Sequence, residues 1–425
     1  MSSIGWIDFS SEHRDKVRTV IDLLKKQGVV DELGIGVIRD SFADRLFPGV
    51  STIQTRAKYF TLTALIIYDY LRQPDAKRDK QTLEEYLAFW EKRCRISLAA
   101  RYGSQGEARG IIGITFGERS DRDVQRPPSS VYWNGMRTFG IVRTNLSLSE
   151  FSRSKGGRRS LTSLLDGTDR EKGDDLDANL NSGPRVRVPV VDDNYWNSLA
   201  ITLTTGEAEF LHQHITASVP GSLLGQILLE KDAVTQILKL PRTASFSDFA
   251  DLPFVRTLNS GDLQRALYHA RDFWMIMEGA HIRYNCLLQA QFGTPEAKAE
   301  CDEYWADWCS RISRFDWTTW DTDYLWRIVD LHDSRVRPET RRFVDGWIAE
   351  ARRCGNALET CNKLVINQER ANKTSRARLR PGAKDQQVKG WIGLADLDYR
   401  LPQVRTLIED IQRGESGEAD PDVGR

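Results

Sequence analysis

Arg327 and His332 stand five positions apart in "RIVDLH". A guanidinium and an imidazole at that spacing can serve one phosphate. The arginine would stabilise charge and the histidine would move a proton while a 2′-hydroxyl attacks. Ile328, directly after the arginine, adds nothing polar to such a site. Asp40 and Asp44 are four apart, on one face of a helix, and two carboxylates so placed can share a divalent cation. Arg39 and Arg45 flank them, and a solvated face of alternating charge is the reading the sequence favours. Glu296-Ala297-Lys298 has the acid-x-Lys order of a metal-dependent nuclease. That chemistry needs its carboxylates on adjacent strands, and this tripeptide lies in a helical pattern. None of these sets is assigned a catalytic role.

Other chemistries leave no trace. The chain has no GxxxxGK[ST], no GxGxxG after a strand, no GxSxG elbow, no HExxH and no HxK. His212 and His214 are two apart, so a helix points them to different faces. The six cysteines, Cys94, Cys286, Cys301, Cys309, Cys354 and Cys361, contain no CxxC and read as reduced, mostly buried thiols. The sequence predicts no metal and no cofactor, and leans away from an enzyme.

Groups suited to phosphate are more plentiful. In "FPGVSTIQTRAKYF" Ser51 is expected to cap a helix whose body, from Ala57 on, is apolar nearly all round. Its opening carries Ser51, Thr52, Gln54, Arg56 and Lys58, the make-up of an anion pocket at a helix N-terminus. The competing reading makes Ser51 an ordinary cap and pairs Arg56 with Asp40 or Asp44. "SSVYWNGMRTFGI" reads as a short helix that buries Val131, Trp133 and Met136 and offers Asn134, Arg137 and Thr138. Such a unit suits a helical nucleic-acid module. Between Lys363 and Lys389 eight basic residues face two acids, in a chain whose 60 Lys and Arg balance 60 Asp and Glu as a whole. Lys373, Arg376, Arg378 and Arg380 are the phosphate contacts this stripe would supply. Trp305, Trp308, Trp317, Trp320 and Trp326 could stack bases, but tryptophan at helical spacing predicts packing first.

The elements that must position these groups are helices. Val17, Val20, Ile21 and Leu24 give a first helical stripe; Leu33, Val37 or Ile38, Phe42 and Leu46 give a second, capped by Asp31. Thr204 with Glu207 forms a capping box. The segment from Ser260 to Phe292 is one long helix or a pair broken near Gly279. "RVRVPVV" is the clearest strand-like alternation. The expected class is mainly α: two helical lobes with a small winged-helix-like or α+β module between them. Boundaries fall at 1–103, 104–187 (ending in a long polar loop), 188–362, a basic segment 363–413 and a disordered acidic tail 414–425. At 425 residues more than one core is expected. No apolar run reaches the roughly 20 residues of a membrane helix, and no signal peptide opens the chain, so a cytoplasmic protein without a membrane partner is expected.

"IGWIDFS" with "DELGIGVIRDSFADRLFPGVSTIQTRAKYF", "SSVYWNGMRTFGI" and "GAHIRYN" resembles a bacterial family of unknown function, over nearly the whole chain. The resemblance implies a setting in anti-phage defence islands, beside helicases and nucleases, and carries no catalytic residues with it. The expectation is a non-enzymatic nucleic-acid-associated or scaffold subunit, with DNA or RNA and other defence proteins as partners. The alternative is an RNase or DNase effector that needs a partner.

Overall fold

The computed structural model describes residues 31–103, 110–119, 123–154, 185–258, 260–332, 335–383, 390–394 and 396–418. The chain is mainly α, with seventeen α-helices among the described residues. In chain order the first six are α1 (Gly36–Leu46), α2 (Lys58–Leu71), α3 (Asp75–Arg78), α4 (Leu83–Tyr102), α5 (Pro128–Thr138) and α6 (Leu148–Arg153). Next come α7 (Thr205–Ser218), α8 (Leu223–Leu229), α9 (Lys231–Lys239), α10 (Phe246–Ala250) and α11 (Pro253–Arg256). The last six are α12 (Gly261–Phe292), α13 (Pro295–Ser313), α14 (Thr322–Leu331), α15 (Pro338–Ala351), α16 (Leu358–Lys373) and α17 (Leu401–Glu415). The helix expected from Val17 to Leu24 lies outside the described residues.

Two compact units result, each discontinuous in sequence. One comprises the described parts of 1–45, 245–251 and 264–399; the other those of 46–244, 252–263 and 400–425. Neither coincides with a single expected segment.

In the first unit Asp31 accepts hydrogen bonds from the Ile35 and Gly36 amides at 3.0 and 2.7 Å, capping α1 as its sequence implies. Ile38, not Val37, faces inward: Ile38 is fully buried and Val37 is 41% exposed. α12 runs unbroken through Gly279 for 32 residues. Of the two readings of this segment, the single long helix is the one formed, and Gly279 marks no break. A Cβ there would lie 2.2 Å from the Trp308 ring of α13, so Gly279 is the slot into which a wholly buried tryptophan fits. The Trp308 indole donates to the Met275 carbonyl and the Trp347 indole to that of Ile276, both at 2.9 Å. Trp305 stacks on Trp308 at 4.9 Å. The tryptophan-rich stretch is thus packing, with Trp320 and Trp326 also buried.

In the second unit α2 packs on α4, α5 and α7, and α17 lies against α7 and α9. α2 starts at Lys58, seven residues later than the expected cap at Ser51. Gly414 allows close helix approach, because a Cβ there would come within 2.6 Å of the Ala208 Cβ. Gly414 and Glu415, expected to open a disordered tail, are therefore the end of α17. Gly135 has a similar task on α5: its Cβ would sit 2.5 Å from the Gly49 carbonyl oxygen. The strand-like "RVRVPVV" yields only a single antiparallel bridge, Val142 to Val186. Pro189 has no amide to extend a ladder. Between 104 and 187 the described residues form α5, α6, a short 3-10 turn at Ile114–Phe116 and both ends of that bridge.

Candidate functional site

The polar opening of α2 is occupied by the protein itself. The Thr55 and Arg56 amides donate to the Tyr132 hydroxyl at 2.8 and 3.0 Å, and the Ala57 amide donates to Asp410 Oδ2 at 2.8 Å. Arg56 forks onto the same carboxylate at 2.7–3.0 Å. Ser51 Oγ is buried without a partner, and the Ser51 amide is instead bound by the Gln54 side chain at 3.1 Å. Thr52 is exposed on the connecting turn. Lys58, 2% exposed, donates to Glu207 at 2.6 Å, and Thr61 and Tyr195 donate to the other oxygen of that carboxylate at 2.7 and 2.8 Å. Burial pulls the Lys58 ammonium below its ordinary pKa, with Glu207 pulling it back up. The space left beside Thr55, Arg56 and Tyr132 is about 10 Å³, room for at most one water. The expected anion position exists, and its anion is Asp410. A phosphate does not fit there.

The other phosphate candidates are partly engaged. On α5, Val131, Trp133 and Met136 are buried and Asn134 is exposed, as the pattern implies. The Arg137 guanidinium is tied to the Thr144 carbonyl at 3.0 Å. The basic segment is folded rather than a loose stripe. Its turn wraps the fully buried Glu369, which accepts from the Arg378 and Leu379 amides at 2.6 and 3.0 Å and from the Tyr284 hydroxyl at 3.1 Å. Lys373 pairs with Glu32 at 3.1 Å, Lys363 with Glu359 at 2.6 Å, and Arg370 donates to the Leu379 carbonyl. Arg376 and Arg380 remain exposed, and Arg378 is half-buried. Lys384 and Lys389 lie outside the described residues.

Arg327 leans on Asp321 at 3.6 Å and over the Tyr324 ring at 5.4 Å, while His332 is the C-cap of α14. Asp40 accepts the Arg39 guanidinium at 2.9 Å. Neither pair lines the cavities described here, and no group of three or more His, Cys, Asp or Glu able to hold a metal occurs among the described residues.

One arrangement with the chemistry to hold a ligand was not singled out by the sequence. At the ends of α2 and α4 a recess of about 450 Å³ is lined by Tyr70, Gln73, Lys77, Arg78, Gln81, Tyr86, Phe89 and Trp90. Thr82 caps α4 in a capping box with Glu85, fixing where the helix starts and hence where Tyr86, Phe89 and Trp90 point. The rings form a continuous series: Tyr70 to Tyr86 at 5.4 Å, Tyr86 to Trp90 at 6.1 Å, Trp90 to Phe89 at 5.8 Å and to Trp196 at 5.3 Å. Phe89 is 49% exposed, and the Arg93 guanidinium stands 5.1 Å from the Trp90 ring and 5.7 Å from that of Phe89. Lys77 is exposed at the rim. Among the described residues no carboxylate lines the recess, although Asp69 is near enough to help burial raise the Tyr86 hydroxyl pKa. Aromatic faces, cations and two glutamine amides can stack a planar base, hold its phosphate and bond its edge. The available signal was spacing. Tyr86, Phe89, Trp90 and Arg93 fall at i, i+3, i+4 and i+7, a second stripe beside the buried one of Leu83, Leu87, Cys94 and Leu98.

Fold and recess together define a mainly α-helical protein with an aromatic, cationic concavity and no metal-binding cluster among its described residues. Residues 1–412 match the family described as "Family of unknown function (DUF6361)", and the chain belongs to that family. No curated protein and no solved structure matches the chain. No helix among the described residues is long and apolar enough to cross a membrane.

Proposed function

We propose that this protein is a non-enzymatic, nucleic-acid-associated subunit of a bacterial anti-phage defence system, acting in the cytoplasm on DNA or RNA beside helicase or nuclease subunits. The observation that carries the nucleic-acid part is the recess of Tyr86, Phe89 and Trp90, with Lys77 and Arg93 at its edge and no carboxylate in its wall among the described residues. Stacking on such rings is sequence-tolerant and contributes about 1–3 kcal/mol per base. The defence setting rests on the sequence resemblance.

The test is filter binding of labelled oligonucleotides by the full chain, with Phe89→Ala and Lys77→Glu. Both side chains are exposed, so folding should be undisturbed, and each change should weaken binding about tenfold or more. Unchanged binding in both variants would remove the recess from the function. Recovery from cells with and without nuclease treatment would then show whether partner proteins are held through nucleic acid. Cutting by the purified protein, abolished by His332→Ala or Asp44→Ala, would make it a nuclease instead.

A further inference from the structure

Cys286 on α12 and Cys301 on α13 stand equally far from the turn at Gly293 and Thr294 that joins the two helices. Thr294 caps α13 through the Ala297 amide and Pro295 opens it, which fixes where α13 starts and so the register of the hairpin. That register brings the two cysteines together. The Cys286 thiol donates to the Cys301 carbonyl at 3.1 Å and is in hydrogen-bond contact with the Cys301 sulfur as well. Cys301 borders a groove of about 610 Å³ between α12 and α13, within reach of a small solute. Cys286 lies behind it, 2% exposed.

The two thiols differ in acidity as they do in access. The hydrogen bond from Cys286 draws the Cys301 thiol below its ordinary pKa, against burial and the nearby Glu300 and Asp302, with Arg283 assisting. The same bond, and then burial, keeps Cys286 protonated. Elsewhere burial pushes thiols up, Cys94 to about 12 and Cys361 to about 11, with Cys309 also raised. The thiolate is the reacting form of cysteine, so reactivity gathers at Cys301. A reachable, acidic thiol backed by a second, resolving thiol is the make-up of a redox-responsive pair.

The geometry points to Cys301 and Cys286 as a modification site, closed by a peroxide into a reversible disulfide that staples α12 to α13. The Cys301 thiolate attacks one peroxide oxygen. An S–O bond forms, the O–O bond breaks, and the hydroxide that leaves takes up a proton as water. The Cys286 sulfur then gives up its proton and attacks the sulfenic sulfur, forming S–S and breaking S–O, and the second oxygen leaves as water. Both thiols are oxidised and one peroxide is reduced to two waters. A cellular dithiol reverses the bond by exchange. Glu300 and Asp302 beside Cys301 repel anionic glutathione and leave the neutral peroxide as the oxidant.

The test exposes the full chain, reduced and then freed of reductant, to hydrogen peroxide and maps its cysteines by mass spectrometry. The expected product is a disulfide between the peptides of Cys286 and Cys301, formed before any other cysteine is oxidised and lost again in dithiothreitol. In Cys286→Ser the sulfenic acid on Cys301 should persist and be trapped by dimedone. In Cys301→Ser the Cys286 thiol should stay reduced. The parent's own map requires no variant, so a folding defect in either serine variant does not blunt the test. The proposal is overturned if peroxide oxidises other cysteines while this pair stays reduced, or if the Cys286–Cys301 bond forms only once the chain is unfolded. Oxidation of Cys286 at the parent rate in folded Cys301→Ser would overturn it as well.

Discussion

Arg56 grips Asp410 through its Nε and Nη2 groups, at 2.7–3.0 Å, across 354 residues of sequence. The same carboxylate takes the Ala57 amide at 2.8 Å, so one acid neutralises an arginine and satisfies the start of α2. The pair is nearly dry, with side chains 12% and 3% exposed. Breaking such a pair leaves a buried charge and costs about 3–5 kcal/mol. Arg56→Glu should therefore lower the melting temperature sharply, because it sets two carboxylates face to face. Asp410→Arg added to it should restore part of the loss. If the single variant melts like the parent, the pair contributes little.

How much of this was legible beforehand follows from which contacts are local. Asp31 capping α1, Thr204 with Glu207, and the inward face of α5 are encoded within a few residues, and the helical class follows from their periodicity. The partners of Arg56 and Lys58 were not legible, because Asp410 and Glu207 come from distant parts of the chain. Glu207 is also the acid of its own capping box, so its sequence role gave no hint of the lysine. Gly279 left one helix or two open for a related reason: a helical glycine signals either a break or a close neighbour, and only the position of Trp308 decides between them.

Gly279→Ala tests that decision. In an exposed helix the change would stabilise by up to about 1 kcal/mol. Here the new Cβ would meet the Trp308 ring at 2.2 Å, and overpacking of this kind costs about 1–3 kcal/mol. A lower midpoint in chemical denaturation is expected. A raised midpoint would mean that the helices separate easily at this point.

Glu91 should make stability depend on pH. It is buried on α4, accepts from the Ser129 amide at 2.5 Å and from the Ser129 hydroxyl at 3.2 Å, and so caps the start of α5 from a neighbouring helix. Burial pushes its carboxyl up to about 7, with the two Ser129 bonds opposing the rise. The folded state thus holds this proton more tightly than the unfolded chain does. The contribution is full below about pH 4.5 and is lost as pH rises to about 7, a change of at most about 3 kcal/mol. Glu91→Gln keeps an acceptor for Ser129 and cannot ionise. Its stability should be flatter between pH 5 and 8 than the parent's; the same slope in both would assign the titration elsewhere.

Salt dependence can separate the two places where nucleic acid would be held. Lys363, Lys373 and Arg370 of the basic segment are spent on Glu359, Glu32 and the Leu379 carbonyl, which leaves Arg376 and Arg380 exposed. Each phosphate contact to a single strand contributes about 0.7 to the slope of log K against log salt. Replacing Arg376 and Arg380 with Ala should therefore weaken binding and lower that slope by about one and a half units. Phe89→Ala should weaken binding with the slope unchanged, because a stacked ring releases no counterion. If the arginine variant keeps the parent slope while Phe89→Ala still loses affinity, the recess is the binding surface and the basic segment is a folded brace around Glu369. If both variants bind as the parent does, nucleic acid is held elsewhere.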